Sequence, residues 1–242
     1  MALHFLVESA SDAAVGDLVS LTGAEAKHAA VVRRLRVGEA VTVGDGAGVW
    51  LSGEAEEVSP SRVDVRITGR SVEAAPAPRI VLVQALAKGD RDELAVQAAC
   101  ELGVDEVVPW QAARSVSRWE GPKAVKGRER WASIVREAAK QAHRAWVPSV
   151  SAPVSTAELA ARAAHKRVLL LDPTAQTRLS KVEADGRDLV LVVGPEGGIS
   201  PDELARLTDA GAERVLLGDT VLRTSTAGPA AIAVLSVALG RW

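Results

Sequence analysis

Residues 189–227 read LVLVVGPEGGISPDELARLTDAGAERVLLGDTVLRTSTA. The apolar run Leu189–Val193 stops at Gly194-Pro195-Glu196-Gly197-Gly198. An apolar run bounded by glycines reads as a buried strand that ends in a loop. A helix start follows, with Ser200 as N-cap, Pro201 at the first helical position and Glu203 closing a capping box. That helix is expected to end near Gly211, and a second strand is expected at Val215–Leu217. A second glycine loop opens at Gly218 and carries Leu222-Arg223-Thr224-Ser225-Thr226-Ala227. Two strand ends in one short unit thus each deliver a loop of small residues. In open α/β sheets ligands bind at the carboxyl ends of the strands, so this stretch reads as a cofactor site.

Working back toward the amino terminus, a strand is expected at Val168–Leu171, followed by the loop Asp172-Pro173-Thr174. Before it, a capped helix is expected over Ser155–Ala164, with Glu158 at its third position. Ile80–Val83, Asp90–Leu102 and Val104–Val108 read as strand, helix, strand, with Gly103 where a helix C′ glycine belongs. That spacing means a βαβ unit and a parallel sheet. Forward of the core stretch, Thr226 to about Leu239 is apolar or small on nearly every side. Such a helix is buried, in its own core or against another subunit.

Arg114–Arg144 stands out by charge: nine lysines and arginines face three acids, a net of +6 in a chain of net −2. Trp131, Val135, Ala138, Ala142 and Ala145 form one apolar helical face. The basic residues are either the solvated back of that helix or a phosphate-binding face.

Residues 1–72 have the texture of a small β-rich domain. Short strand candidates are His4–Val7, Leu18–Leu21, Val41–Val43, Val49–Leu51 and Val63–Ile67, and Asp45-Gly46 is a hairpin-turn dipeptide. Thr22-Gly23-Ala24-Glu25 reads as a capping box opening a helix to about Leu35. Several short strands with one helix suggest a small barrel. Residues 73–78 (EAAPAP) read as a stiff linker, which leaves 79–242 as the second domain.

Composition sets the outer bounds. The 242 residues are 48% hydrophobic and 25% charged, the balance of a folded globular protein. Cys100, the single cysteine, excludes an internal disulfide and reads as core. The four histidines show no metal-ligand spacing, so no metal is expected. The start, MALHFLVESASD, lacks a basic region and a long apolar core, and the apolar run at 230–239 is too short to span a bilayer. The expectation is a cytoplasmic protein without membrane partners. The glycine loop is neither GxGxxG nor a Walker A loop, and no Ser-His-Asp or Cys-His order stands out. Arg223 beside the second glycine loop points toward the expected crevice.

VVGPEGGISPDE (192–203) and LGDTVLRTSTA (217–227) resemble the motifs of the RsmE family, 16S ribosomal RNA uracil-N3 methyltransferases of the SPOUT superfamily. Supporting matches run in order along the chain: His28 with Val32, Arg34 and Gly38; Lys88-Gly89; Glu101–Val104; Pro109; Arg114-Ser115; Glu137–Ala139, Gln141, Arg144 and Val147-Pro148. The resemblance implies a PUA-like RNA-binding β-barrel followed by an α/β domain with a SPOUT-type parallel sheet and a carboxyl-terminal trefoil knot. Ordinary topology rules alone would argue against the knot. It further implies S-adenosyl-L-methionine as cofactor, a homodimer, and 16S ribosomal RNA as substrate, within a small-subunit particle.

Carried onto this chain, the cofactor is expected at Leu171, Asp172, Gly194, Pro195, Glu196, Gly197, Gly198, Leu217, Gly218, Leu222, Thr224, Ser225 and Ala227. RNA is expected at His28, Arg33, Arg34, Lys88, Arg91, Arg114, Arg118, Lys140, Gln141 and Arg144. Arg223 and Glu196 are the candidate catalytic residues: Arg223 to favour the uracil anion, Glu196 to orient the loop or cofactor or to accept a proton. The chain departs from the family at Ser225, where many members carry Glu, and at Arg33, Lys140 and Ala142-His143. The alternatives are a knotted ribose 2′-O enzyme acting on transfer RNA, whose second motif usually holds Asn, and a noncatalytic RNA-binding protein.

Overall fold

The computed structural model describes residues 3–163 and 165–242. It divides into two compact units. The chain up to Ala75 joins Ala139–Val147 in the first; Pro76–Ala138 and Pro148–Trp242 form the second.

The first unit is a half-barrel sheet of five strands: β1 (Leu3–Leu6), β2 (Leu18–Thr22), β3 (Ala40–Gly44), β4 (Val49–Val58) and β5 (Arg62–Val72), in the order β1-β3-β4-β5-β2. β1 runs parallel to β3, and the other pairings are antiparallel. Alternation along β4 puts Val49, Leu51, Gly53 and Ala55 inside, where Leu51 joins Phe5, Leu21, Val43, Val65 and Ile67 in one core. The β4–β5 register shifts at Ser52/Gly53 and Ala55/Glu57. A Cβ on Gly53 would lie 2.5 Å from the Arg66 carbonyl oxygen, so only glycine fits this close approach. The β3–β4 hairpin turns at Asp45, whose Oδ1 accepts the N–H groups of Ala47 (2.7 Å) and Val49 (3.0 Å). Segment 139–147 lies along that turn. Gly48 N–H donates to Ala145 O (3.1 Å), Val147 N–H donates to Gly46 O (2.9 Å), and the Trp146 indole N–H donates to Glu73 O (3.0 Å).

One helix of this unit differs from expectation. α1 (Gly23–Lys27) passes into a π-helical turn over His28–Val32, and the Thr22 side chain makes no cap bond. Glu25, the expected partner in the box, instead accepts a hydrogen bond from Lys140 Nζ at 2.9 Å.

The second unit is a seven-stranded sheet, parallel throughout. Its strands are β6 (Ile80–Ala85), β7 (Glu106–Trp110), β8 (Ser149–Val150), β9 (Arg167–Leu171), β10 (Thr177–Arg178), β11 (Leu189–Val193) and β12 (Glu213–Leu216), ordered β10-β12-β9-β11-β6-β7-β8. β6 and β11 are buried along their whole length, as central strands covered on both faces must be. Val81, Val83, Val190 and Val192 share one core with Leu159 of α4 (Thr156–Arg162) and Leu207 of α5 (Pro201–Asp209). On the other side α2 (Arg91–Glu101) packs with α6 (Thr224–Ala238), where a Cβ on Gly228 would meet Leu82 at 3.1 Å.

Both predicted capping boxes of this unit form, at Ser155/Glu158 and Ser200/Glu203. The expected end of the first helix, Ala164, lies outside the described residues. The basic helix α3 spans Pro122–Gln141 and buries Trp131, Val135 and Ala138. It ends before Ala142 and Ala145, because His143 takes a left-handed φ of 52°. The apolar face read through those two alanines therefore stops at Ala138. Among the described residues no helix is long and apolar enough to cross a membrane.

Candidate functional site

At the carboxyl ends of β9, β11 and β12 the second unit encloses a cavity of about 680 Å³. Each strand contributes the loop that follows it: Leu171–Thr174, Val193–Ile199 without Gly197, and Leu216–Ala227 in part. Leu171, Val193, Ile199, Leu204, Leu216, Leu217 and Leu222 give it an aliphatic lining, and Arg91, Asp172, Glu196 and Arg223 supply the charges. This is the usual make-up of a small-molecule site: mostly apolar, with a few placed polar groups.

Two buried side chains hold the loops in register. Thr224, at the start of α6, is 6% exposed. Its hydroxyl accepts from Gln84 Nε2 (2.9 Å) and donates to Gly194 O (2.9 Å), joining β6, the first glycine loop and α6. Glu203 accepts from the Ala113 N–H (2.8 Å) and the Thr156 hydroxyl (2.8 Å) while completing the Ser200 box. Burial alone would raise its carboxyl, but these donors outweigh burial and hold its pKa below the ordinary value.

Gly194 has no room for a side chain: a Cβ there would lie 2.8 Å from Ile199 Cγ1. Gly198, at φ +72°, makes the turn that leads into α5. Asp172 folds its own loop, accepting from Thr174 N–H and Oγ1 (2.8 Å each) and from Arg214 Nε (2.6 Å).

Glu196 Oε1 accepts from the Lys88 N–H (3.1 Å) and from Arg91 Nη1 (3.0 Å). Burial pushes this carboxyl up, but its own backbone N–H, that of Lys88 and the Arg91 guanidinium together pull the pKa below the ordinary value. Glu196 is thus an ionised brace between the first glycine loop and the start of α2. Arg223 also lines the cavity, and among the described residues its guanidinium has no hydrogen-bond or ion-pair partner. Its carbonyl accepts the N–H groups of Thr226 and Ala227 at the head of α6.

Most of the residues expected at the cofactor line this cavity; Gly197 and Ser225 do not. Gly197 turns toward Arg114, whose Cβ would lie 3.3 Å from an added Cβ and whose Nη1 donates to the Gly197 carbonyl at 2.9 Å. Ser225 is half-exposed on the first turn of α6, so the departure from Glu at this position falls outside the cavity wall. Leu204, Thr220, Val221 and Arg91 line the cavity without having been expected there. Leu204 was legible in principle, because it stands four residues after the Ser200 cap, on the helix face that turns inward.

The expected RNA residues fall into two groups. In the second unit, Lys88, Arg114 and Arg118 are exposed and Arg91 is half-exposed. Lys88 and Arg91 meet at Glu196, and Arg114 meets Gly197, so these three lie beside the first glycine loop, while Arg118 donates to Ala113 O (3.1 Å). In the first unit, Arg33, Arg34 and Gln141 are exposed and His28 is half-buried. Arg144 is half-buried and engaged within the protein. Lys140 does not lie on a solvated face. It is 5% exposed, and its ammonium is matched by Glu25, because a buried charge requires a partner.

The family model for the RNA methyltransferase domain matches residues 74–236, and the model for the RNA methyltransferase PUA domain matches residues 21–68. A protein of Mycobacterium tuberculosis named ribosomal RNA small subunit methyltransferase E is 43% identical over 248 residues, covering 100% of this chain and 94% of that protein. Its namesake from Bacillus subtilis is 34% identical, covering 90% of this chain and 89% of that protein. Among solved structures, a ribosomal RNA small subunit methyltransferase E of Neisseria gonorrhoeae bound to S-adenosyl methionine matches with a TM-score of 0.86 at 28% identity, covering 98% of both chains.

Proposed function

This chain belongs to the ribosomal RNA small subunit methyltransferase E family, and from that premise we propose that it transfers the methyl group of S-adenosylmethionine to N3 of one uridine in 16S ribosomal RNA. The observation that carries the proposal is the cavity itself. The two motifs that resemble the family come together there, with an arginine on the wall that has no partner among the described residues.

The lining fits the cofactor. Leu171, Leu217 and Leu222 offer apolar surface to a flat purine, and Gly194 and Gly218 allow the backbone to come close. Around Gly218 there is open space where a Cβ would project. When bound, the cofactor supplies a methyl group on a positively charged sulfur, which needs positioning more than activation.

Uracil N3 carries a proton and becomes a nucleophile only when that proton passes to solvent. The charge then spreads onto O2 and O4, where the Arg223 guanidinium stabilises it. Glu196, ionised and held by Lys88 and Arg91, fixes the first glycine loop and the start of α2 relative to that arginine. Thr224 fixes the Gly194 carbonyl. Lys88, Arg114 and Arg118 meet the RNA backbone. N3 lies on the pairing edge, so the target base enters unpaired or flipped.

In this reading residues 1–72 are the RNA-holding domain, 73–78 the linker and 79–242 the methyltransferase domain. The cofactor loops cross as a trefoil knot. The protein works as a homodimer in the cytoplasm on RNA within a small-subunit particle, without a metal. The test is to incubate the purified protein with S-adenosylmethionine bearing a labelled methyl group and with unmethylated small ribosomal subunits. Digestion to nucleosides and mass spectrometry are expected to give labelled 3-methyluridine. Label on a ribose 2′-oxygen, or none on the RNA, overturns the proposal.

A further inference from the structure

The first unit contains a second, smaller cavity of about 150 Å³, and its walls include His4, Phe5, His28, Arg33, Gln141 and His143. It is far smaller than the cofactor-sized cavity, and its lining is different in kind. Half of the residues that line it carry rings. His4 is stacked on Trp50 with centroids 4.1 Å apart and planes within 7°. His143 is tilted toward both, 5.8 Å from His4 and 6.2 Å from Trp50. His28 meets Phe5 edge-on at 6.2 Å.

The charges of the cavity are largely settled internally. The Thr42 hydroxyl donates to Leu3 O (3.2 Å), so His4 Nδ1, 3.0 Å away, is the donor to Thr42 Oγ1. Burial, then the neighbouring His143 and Lys140, lower the His4 pKa to about 4, so the ring is neutral at pH 7. Lys140 is matched by Glu25. Arg33 and Gln141 remain: both are exposed, and among the described residues neither side chain has a partner.

A site for a bare phosphate would be built from cations and N–H groups. Here one unmatched guanidinium and one amide stand beside aromatic walls, which is how proteins hold an unstacked base: rings against its face, an amide on its edge, an arginine on the neighbouring phosphate. Backbone strain points to the same place. Among the described residues only Arg34, Asp90 and His143 are non-glycine residues with positive φ. Arg34 follows Arg33 and His143 lines the cavity, while Asp90 precedes Arg91 of the cofactor cavity. Such conformations are costly and persist where the surroundings enforce them, often at binding sites.

We propose that this cavity is a base-reading subsite. One unpaired nucleobase of the RNA, other than the one methylated, enters it against the half-buried imidazoles of His28 and His143, with Gln141 on its hydrogen-bonding edge and Arg33 on its flanking phosphate. The proposal rests on reading the chain as an RNA methyltransferase.

The test measures fluorescence anisotropy of the full-length protein with labelled octamers of uridylate, cytidylate, adenylate and guanylate. Wild type is expected to favour one octamer by about fivefold or more, the lower end of what a single base contact contributes. Gln141→Ala and His143→Asn, the latter tolerant of positive φ, are expected to flatten that preference to within about twofold of equality. Arg33→Ala is expected to weaken all four octamers alike and to lower the slope of log affinity against log salt by about one, leaving the preference intact. The proposal fails if wild type has no preference, or if the preference survives both Gln141→Ala and His143→Asn. It also fails if inorganic phosphate at millimolar concentration displaces the octamers from wild type but not from Arg33→Ala, which would mark an anion site. Binding is read without catalysis. Loss of the methylation reading, with no 3-methyluridine formed, is therefore distinguishable from loss of the subsite.

Discussion

Valine in place of Thr224 keeps a branched side chain of similar size and deletes one hydroxyl. That hydroxyl sits in a chain of two hydrogen bonds, from Gln84 Nε2 and to Gly194 O, each 2.9 Å. Gln84 Nε2 keeps its second acceptor, Ala85 O at 3.1 Å, so its loss is partial. The Gly194 carbonyl loses the donor that orients it. Two net hydrogen bonds at about 0.5–1.5 kcal/mol each give a cost of about 1–3 kcal/mol. With a urea slope of about 3 kcal/mol per molar, the unfolding midpoint is expected to fall by roughly 0.3–1 M at unchanged slope. The functional effect is separate: with Gly194 no longer tied to α6, calorimetry with S-adenosylmethionine is expected to show affinity weakened about tenfold, or 1.4 kcal/mol. Thr224→Ser keeps both bonds and is expected to stay close to wild type in both measurements. A valine variant with wild-type midpoint and wild-type affinity would refute the role given to the hydroxyl. A serine variant as damaged as the valine one would show that the methyl group, and not the hydroxyl, is what matters.

Arg223→Ala is expected to lower kcat for methyl transfer about 100-fold, the scale of losing one stabilising donor. The unfolding midpoint should stay near wild type, because among the described residues the guanidinium has no hydrogen-bond or ion-pair partner. Gly194→Ala forces a Cβ to within 2.8 Å of Ile199, and calorimetry is expected to show loss of cofactor binding with the RNA affinity retained. Lys140→Met leaves Glu25 in a half-buried site without its ammonium, and thermal melts are expected to show destabilisation of about 3–5 kcal/mol; adding Glu25→Gln should restore part of it. His4 gives a pH dependence. Its folded pKa of about 4 lies below the ordinary 6.5, so between these values the unfolded chain binds a proton that the folded chain refuses. Stability is therefore lost as pH falls from 6.5 to 4, by about 2–3 kcal/mol, and is indifferent to His4 above that window. Urea midpoints at pH 7 and 4.5 should differ less in His4→Gln than in wild type.

The second unit was legible in the sequence because its signals are local. Ser200-Pro201 with Glu203 and Ser155 with Glu158 carry their own geometry, and both boxes form as read. Apolar runs bounded by glycine or proline mark β6, β9 and β11, and residues next to the ends of β9 and β11 line the cavity. What failed to show was set by distant partners. The Thr22 box is undone by Glu25 bonding to a lysine 115 positions later. The same pairing takes Lys140 out of the basic face on which its neighbours place it. The helical periodicity through Ala142 and Ala145 is broken by a left-handed residue, His143, whose type gives only a weak signal for that conformation. Gly197 belongs to a motif that resembles the family's cofactor loop, yet it faces Arg114, and spacing alone does not tell which glycines of a loop face inward.

The strip 139–147 imposes an order on synthesis. The hairpin turn at Gly46–Gly48 gains its partners, Ala145 and Val147, only when residues made roughly a hundred positions later have left the ribosome. By then β6, α2 and β7 of the other unit have already emerged. The first unit therefore cannot be finished before the second has begun, and a fragment cut at residue 75 would keep all five strands while leaving Gly46 and Gly48 without Val147 and Ala145 and Glu73 without the Trp146 indole. Anyone dividing this protein for separate expression would need to graft the strip back, or express the whole chain.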